Sequence, residues 1–228
     1  MKNILSQQKD NVALLNRMLQ KQDDLLDSLE DLTDSVNYTL RHYGLPERTL
    51  DEVRSFVGNG AKVLIASALP GKESDPPVEE ALRFFQAYYA DHCQLKTRPY
   101  DGIVEALAEI RKEFPVAVVS NKPDVATKPL CKGLFGEAIY ALGQIDDCPR
   151  KPAPDMVYKA MADIGVETCI YVGDSDVDVK TAQNAGVPCL SVLWGFRDRN
   201  FLTEQGATHF CENPRDLLFC LKEMIENG

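Results

Sequence analysis

From Arg98 onward the chain alternates short apolar runs with amphipathic stretches, and this alternation restricts the fold more than any other feature. The pattern reads as helix Ile103 to Lys112, strand Val116 to Ser120, helix Asp124 to Leu134, strand Ala138 to Ala141 and helix Ala153 to Ile164. It continues as strand Cys169 to Val172, helix Val177 to Ala185, strand Cys189 to Leu193, strand Thr208 to Cys211 and helix Pro214 to Ile225. VAVVS and CIYVG are apolar without alternation, as befits strands covered on both faces. The pattern predicts an α/β fold with a doubly wound parallel sheet.

The first part of the chain differs. Residues 1–43 carry apolar residues at helical spacing, with Leu15, Leu19, Leu26, Leu29, Val36 and Leu40 on one stripe, and no glycine or proline precedes Gly44. Asp24 or Ser28 is placed to cap a fresh helix inside this run. FVGNGAKVLIASAL and VEEALRFFQAYYADHC are also helical in period and are separated by PGKESDPP. The expected organisation is an atypical helical segment at 1–24, a small helical domain at 28–95 and an α/β core at 96–228.

Composition narrows the function classes. A hydrophobic content of 44% over 228 residues supports a sizeable core, and a net charge of -10 argues against nucleic acid or an anionic membrane as the partner. No apolar run approaches the roughly 18 residues that span a bilayer, and no secretory signal is visible, so the cytoplasm is the expected compartment. The cysteines form no C-x-x-C pair, and none of His42, His92 and His209 falls into a metal-ligand spacing.

Chemistry-bearing residues cluster where strands end and helices begin, which is where ligands of open α/β sheets bind. In VAVVSNKP, Ser120 offers a hydroxyl and Asn121 an amide. In RKPAPD, Lys151 is held by Pro152 and Pro154 just before a helix. In YVGDSDVDVKTAQNAG, Gly173 lets the backbone turn, and Asp174, Asp176 and Asp178 follow at alternate positions. Such a carboxylate cluster fits either a hard cation or a helix start that favours acids.

In this order and spacing, the three segments resemble the haloacid dehalogenase (HAD) superfamily of phosphatases, within it the phosphoglycolate phosphatase group, over about residues 25–226. The resemblance implies a HAD-like, Rossmannoid core with a small helical cap. It also implies Mg²⁺-dependent hydrolysis of a small phosphorylated metabolite. Ser120, Asn121 and Lys151 would bind the phosphoryl group, Ser120 and Lys151 would act in catalysis, and Asp174 and Asp178 would serve the metal. Arg54, Lys62 and Arg83 of the cap each face either the substrate's carboxylate or solvent.

The chain departs from the family in its first segment. The superfamily begins with an apolar strand ending in D-x-D-G-T, whose first Asp is the nucleophile and whose second is the acid/base. Counting back from LLDS, Leu25 to Ser28, places Gln20 and Gln22 at those positions; counting forward from MKNIL places Gln7 and Lys9 there. An amide neither carries an acyl phosphate nor shuttles a proton near neutral pH, so impaired or absent turnover is expected. The alternative is a non-catalytic protein of the same fold that binds a phosphate-containing ligand or assembles as a homodimer through its N-terminal helix. That helix is expected over about residues 7–22, leaving the first central strand missing or replaced.

Overall fold

The computed structural model describes residues 18–20, 25–57, 60–71, 76–93 and 95–227. The chain divides into two compact units, one of residues 26–99 and the other of residues 1–25 with 100–228.

The first unit opens with strand β2 (Leu26–Asp27) and closes with β3 (Arg98–Pro99), which pair antiparallel, Leu26 opposite Pro99 and Asp27 opposite Arg98. Between them run α1 (Leu29–His42), α2 (Leu50–Phe56), α3 (Ala61–Ala68) and α4 (Val78–His92). The apolar stripe read from the sequence becomes the buried face of α1, with Val36 and Leu40 packed in a core that also buries Val53, Leu64, Ile65 and Phe85. Ser28 occupies the N-cap of α1, yet its side chain makes no capping bond. Asp31, buried in the first turn, instead accepts from the Lys96 and Thr97 amides at 2.8–3.0 Å and from the Thr97 hydroxyl at 2.7 Å. This carboxylate ties the start of α1 to the segment that leaves the unit. Thr49 begins α2 with a full capping box to Glu52.

The second unit holds a six-stranded sheet of order β5-β4-β1-β6-β7-β8 with every neighbouring pair parallel. Its strands are β1 (Met18–Gln20), β4 (Val116–Pro123), β5 (Tyr140–Gln144), β6 (Ile170–Gly173), β7 (Cys189–Val192) and β8 (His209–Cys211). The helices are α5 (Ile103–Glu113), α6 (Asp124–Phe135), α7 (Asp155–Asp163), α8 (Asp176–Ala185), α9 (Arg199–Glu204) and α10 (Leu217–Asn227). Ala117 and Val119 of β4 pack with Met156, Val157 and Ala160 of α7, and with Tyr171 of β6 and Ala182 of α8. Alternate residues of a strand point to opposite faces, so Val116 and Val118 serve the other side of the sheet, where α5 contacts β4. The doubly wound parallel arrangement matches the sequence pattern. Gly186 ends α8 in the left-handed region at φ 67°, where its N–H caps the helix on the Ala182 and Gln183 carbonyls. No helix among the described residues is long and apolar enough to cross a membrane.

One expectation is corrected. Residues 18–20 form strand, not helix, and they lie in the middle of the sheet: Met18, Leu19 and Gln20 pair with Val116 to Val118 on one side and with Ile170 to Val172 on the other. The first central strand is therefore present, though only three residues long. Two parallel strands with inward edges leave a row of backbone donors and acceptors open, and satisfying them outweighs the helical spacing of a few leucines. The remainder of the helix expected over 7–22 lies outside the described residues, as do Gln7, Lys9 and Gln22.

Candidate active site

The carboxyl ends of β4 and β6 bring the singled-out segments of the core together. β4 is regular to Val119 and then shifts register before Pro123 pairs with Gln144. The irregular stretch contains Ser120, Asn121 and Lys122. Ser120 is buried, and its Oγ accepts the Lys122 N–H at 3.1 Å. Close approach behind this turn requires Gly143: a Cβ there would lie 2.4 Å from the Asp124 Cα, and its N–H donates to the Asp124 carboxylate at 2.9 Å.

Asn121 holds the loop that carries Lys151. Its Nδ2 donates to the Lys151 carbonyl at 3.1 Å and its Oδ1 accepts the Lys151 N–H at 2.9 Å. Both ends of this amide are thus used on main chain. The Lys151 side chain is fully buried, and its Nζ donates to Asp178 Oδ1 at 3.1 Å and to the Val119 carbonyl at 3.4 Å. A buried ammonium and carboxylate tolerate loss from water only with good geometry and further hydrogen bonds. Here Asp178 receives them from the Tyr171 hydroxyl at 3.2 Å and from the Ser175 hydroxyl.

The acidic segment is spread over separate partners. Gly173 closes β6, and a Cβ at that position would fall 2.2 Å from the Asp178 Cβ, so glycine makes the room that Asp178 occupies. Asp174 is buried, and its Oδ2 accepts the Phe196 N–H at 2.8 Å. The loop after β7 reaches it through Gly195, whose Cβ would sit 2.1 Å from the same oxygen. Asp176 stands 4.0 Å from both Lys180 and Arg197 in the first turn of α8, where the helix dipole favours an acid.

This donor set tests the fit of a Mg²⁺ ion. Phosphatases of the HAD type generally use Mg²⁺, which asks for near-octahedral oxygen ligation. Both oxygens of Asp178 are engaged by Lys151, Tyr171 and Ser175. No group of three or more His, Cys, Asp or Glu among the described residues is arranged to hold a metal ion. The described residues alone do not make a Mg²⁺ site.

Sequence reading missed Tyr171, Ser175 and the Gly195-Phe196 turn. A tyrosine in an otherwise apolar buried strand was the available signal, since a buried phenol needs a partner. Gln20 ends β1 opposite Val118 and Val172, two residues short of the positions that Ser120 and Asp174 occupy on the neighbouring strands. In the helical unit, Arg54 pairs with Asp51 at 2.6 Å and Lys62 pairs with Glu79.

Comparison with known proteins adds the lineage. The chain is 34% identical over 212 residues to phosphoglycolate phosphatase 1 of Pseudomonas aeruginosa, covering 89% of this chain and 78% of the relative. It is 30% identical over 207 residues to the N-acetylmuramic acid 6-phosphate phosphatase of the same organism, covering 88% and 92%. A crystal structure of a candidate phosphoglycolate phosphatase from Lactobacillus delbrueckii superposes with a TM-score of 0.85 at 32% identity, covering 92% of this chain and 98% of that one. The profile of the haloacid dehalogenase-like hydrolases matches residues 23–192, and the chain belongs to that family.

Proposed function

We propose that this chain binds the phosphate group of a small phosphorylated metabolite at the carboxyl ends of β4 and β6, and that hydrolysis is impaired with the sequence as it stands. The observation that carries this reading is the buried Lys151 ammonium, held between the Val119 carbonyl and Asp178 beside Ser120. A hydroxyl at a strand end and an ammonium from the loop before α7 suit a phosphoryl oxygen, and phosphoryl transfer is mostly positioning and charge neutralisation. Asn121 contributes by fixing the Lys151 main chain.

Gln20 and Gln22 stand where the family's two aspartates are expected, and neither amide supports the covalent route. Mg²⁺ would meet Asp174 with Asp178 behind it; with the acidic loop replaced this set is short of oxygens, so cation binding is weak. Substrates of the class handled by the phosphoglycolate and N-acetylmuramic acid 6-phosphate phosphatases fit this reading, a small phosphate monoester bearing a carboxylate.

The test is a phosphatase assay with Mg²⁺ on phosphoglycolate and on an aryl phosphate. It compares the chain with a variant in which residues 20–24 are replaced by Asp-Leu-Asp-Gly-Thr, which keeps Met18 and Leu19 of β1. Turnover by the variant alone supports the proposal. Equal turnover by the unmodified chain overturns the impairment.

A further inference from the structure

We infer that Tyr171 is a positioning residue: its hydroxyl and its ring together fix the buried Lys151–Asp178 pair in the orientation that presents the ammonium beside Ser120. The inference rests on the reading of Lys151 as the anion-binding donor. Tyr171 is fully buried in the middle of β6, paired with Leu19 on one side and Cys189 on the other, so its backbone position is set by the sheet. From there it touches both members of the pair. The phenol donates to Asp178 Oδ1, the same oxygen that accepts from Lys151. The Lys151 Nζ lies 5.9 Å from the Tyr171 ring centroid, within the range in which an aromatic face attracts a cation.

The geometry has a simple consequence. Two donors on one carboxylate oxygen fix the direction from which each approaches, while Ser175 occupies the other oxygen. Phenylalanine at 171 would keep the ring and fill nearly the same space, but would remove the phenol donor that shares Asp178 Oδ1 with the ammonium. Lys151 would then be drawn further onto Asp178 and away from the Val119 carbonyl and Ser120. Tyrosine thus keeps the pair from closing on itself.

The experiment follows the ammonium directly by ¹⁵N NMR of the full chain, assigning its signal through its loss in Lys151→Met. In Tyr171→Phe, proton exchange from the Lys151 ammonium is expected to change roughly tenfold and orthophosphate affinity, by calorimetry, to fall roughly fivefold. Tyr171→Leu, which also removes the ring, should produce a larger change in both. Val157→Ala, which thins the same core without touching the pair, should lower the Tm and leave both readouts within about twofold. Exchange in Tyr171→Phe indistinguishable from the parent overturns the inference, as does a parent protein with no protected ammonium signal. Orthophosphate binding that survives Lys151→Met overturns the anion-site reading instead, while the exchange measurement still decides the role of Tyr171.

Discussion

Burial decides the chemistry of individual side chains in this core. Cys169 immediately precedes β6 and has no exposure, and burial pushes its thiol from 9.0 up to about 12. Between those values the folded state keeps a proton that the unfolded chain releases, so stability falls as pH rises from about 9 towards 12. Urea denaturation across that range should show the decline, and Cys169→Ala should make it shallower. The same burial should leave Cys169 and Cys131, the latter raised to about 11, unreactive towards a thiol reagent at pH 8 until the protein unfolds. Gly195 makes a second residue-scale case. Alanine there would place a methyl group on the Asp174 carboxylate, and we expect a loss of about 2 kcal/mol in urea titration. Residue types were legible in the sequence here, but their partners were not. Asn121 suggested a phosphoryl ligand, whereas both ends of its amide are bonded to the Lys151 backbone thirty positions along the chain.

Elements with a strong local signal were readable in advance. The helix seen at 155–163 was expected at 153–164, and the one at 176–185 was expected at 177–185, because apolar stripe and terminating glycine agree. The two-residue strands β2 and β3 gave no such signal, since they exist only through pairing across more than seventy residues. Strand β1 went further and overrode its own helical spacing, because the gap between β4 and β6 is a property of the sheet and not of residues 18–20. Caps, by contrast, are local and testable one element at a time. Thr49→Ala removes the capping box of α2 and should cost about 1 kcal/mol in chemical denaturation. Asp31→Ala strands three donors at the exit of the helical unit and should cost more, about 3 kcal/mol.

For the whole molecule, the proposed function separates the fold from the catalytic equipment. The family match over residues 23–192 and the parallel α/β sheet are those of a HAD-like hydrolase. The departure is confined to the segment before it. Placing Asp-Leu-Asp-Gly-Thr at residues 20–24 should therefore confer Mg²⁺-dependent turnover and, by calorimetry, tighten Mg²⁺ binding at least roughly tenfold over the unmodified chain. The interrupted course of the chain also bears on its synthesis. β1 lies between strands that begin at Val116 and Ile170, so it emerges from the ribosome long before either neighbour exists. Residues 26–99 form a contiguous unit that can fold while translation continues. The sheet cannot close until β6 has been made, and for that interval residues 18–20 lack a strand partner on that side.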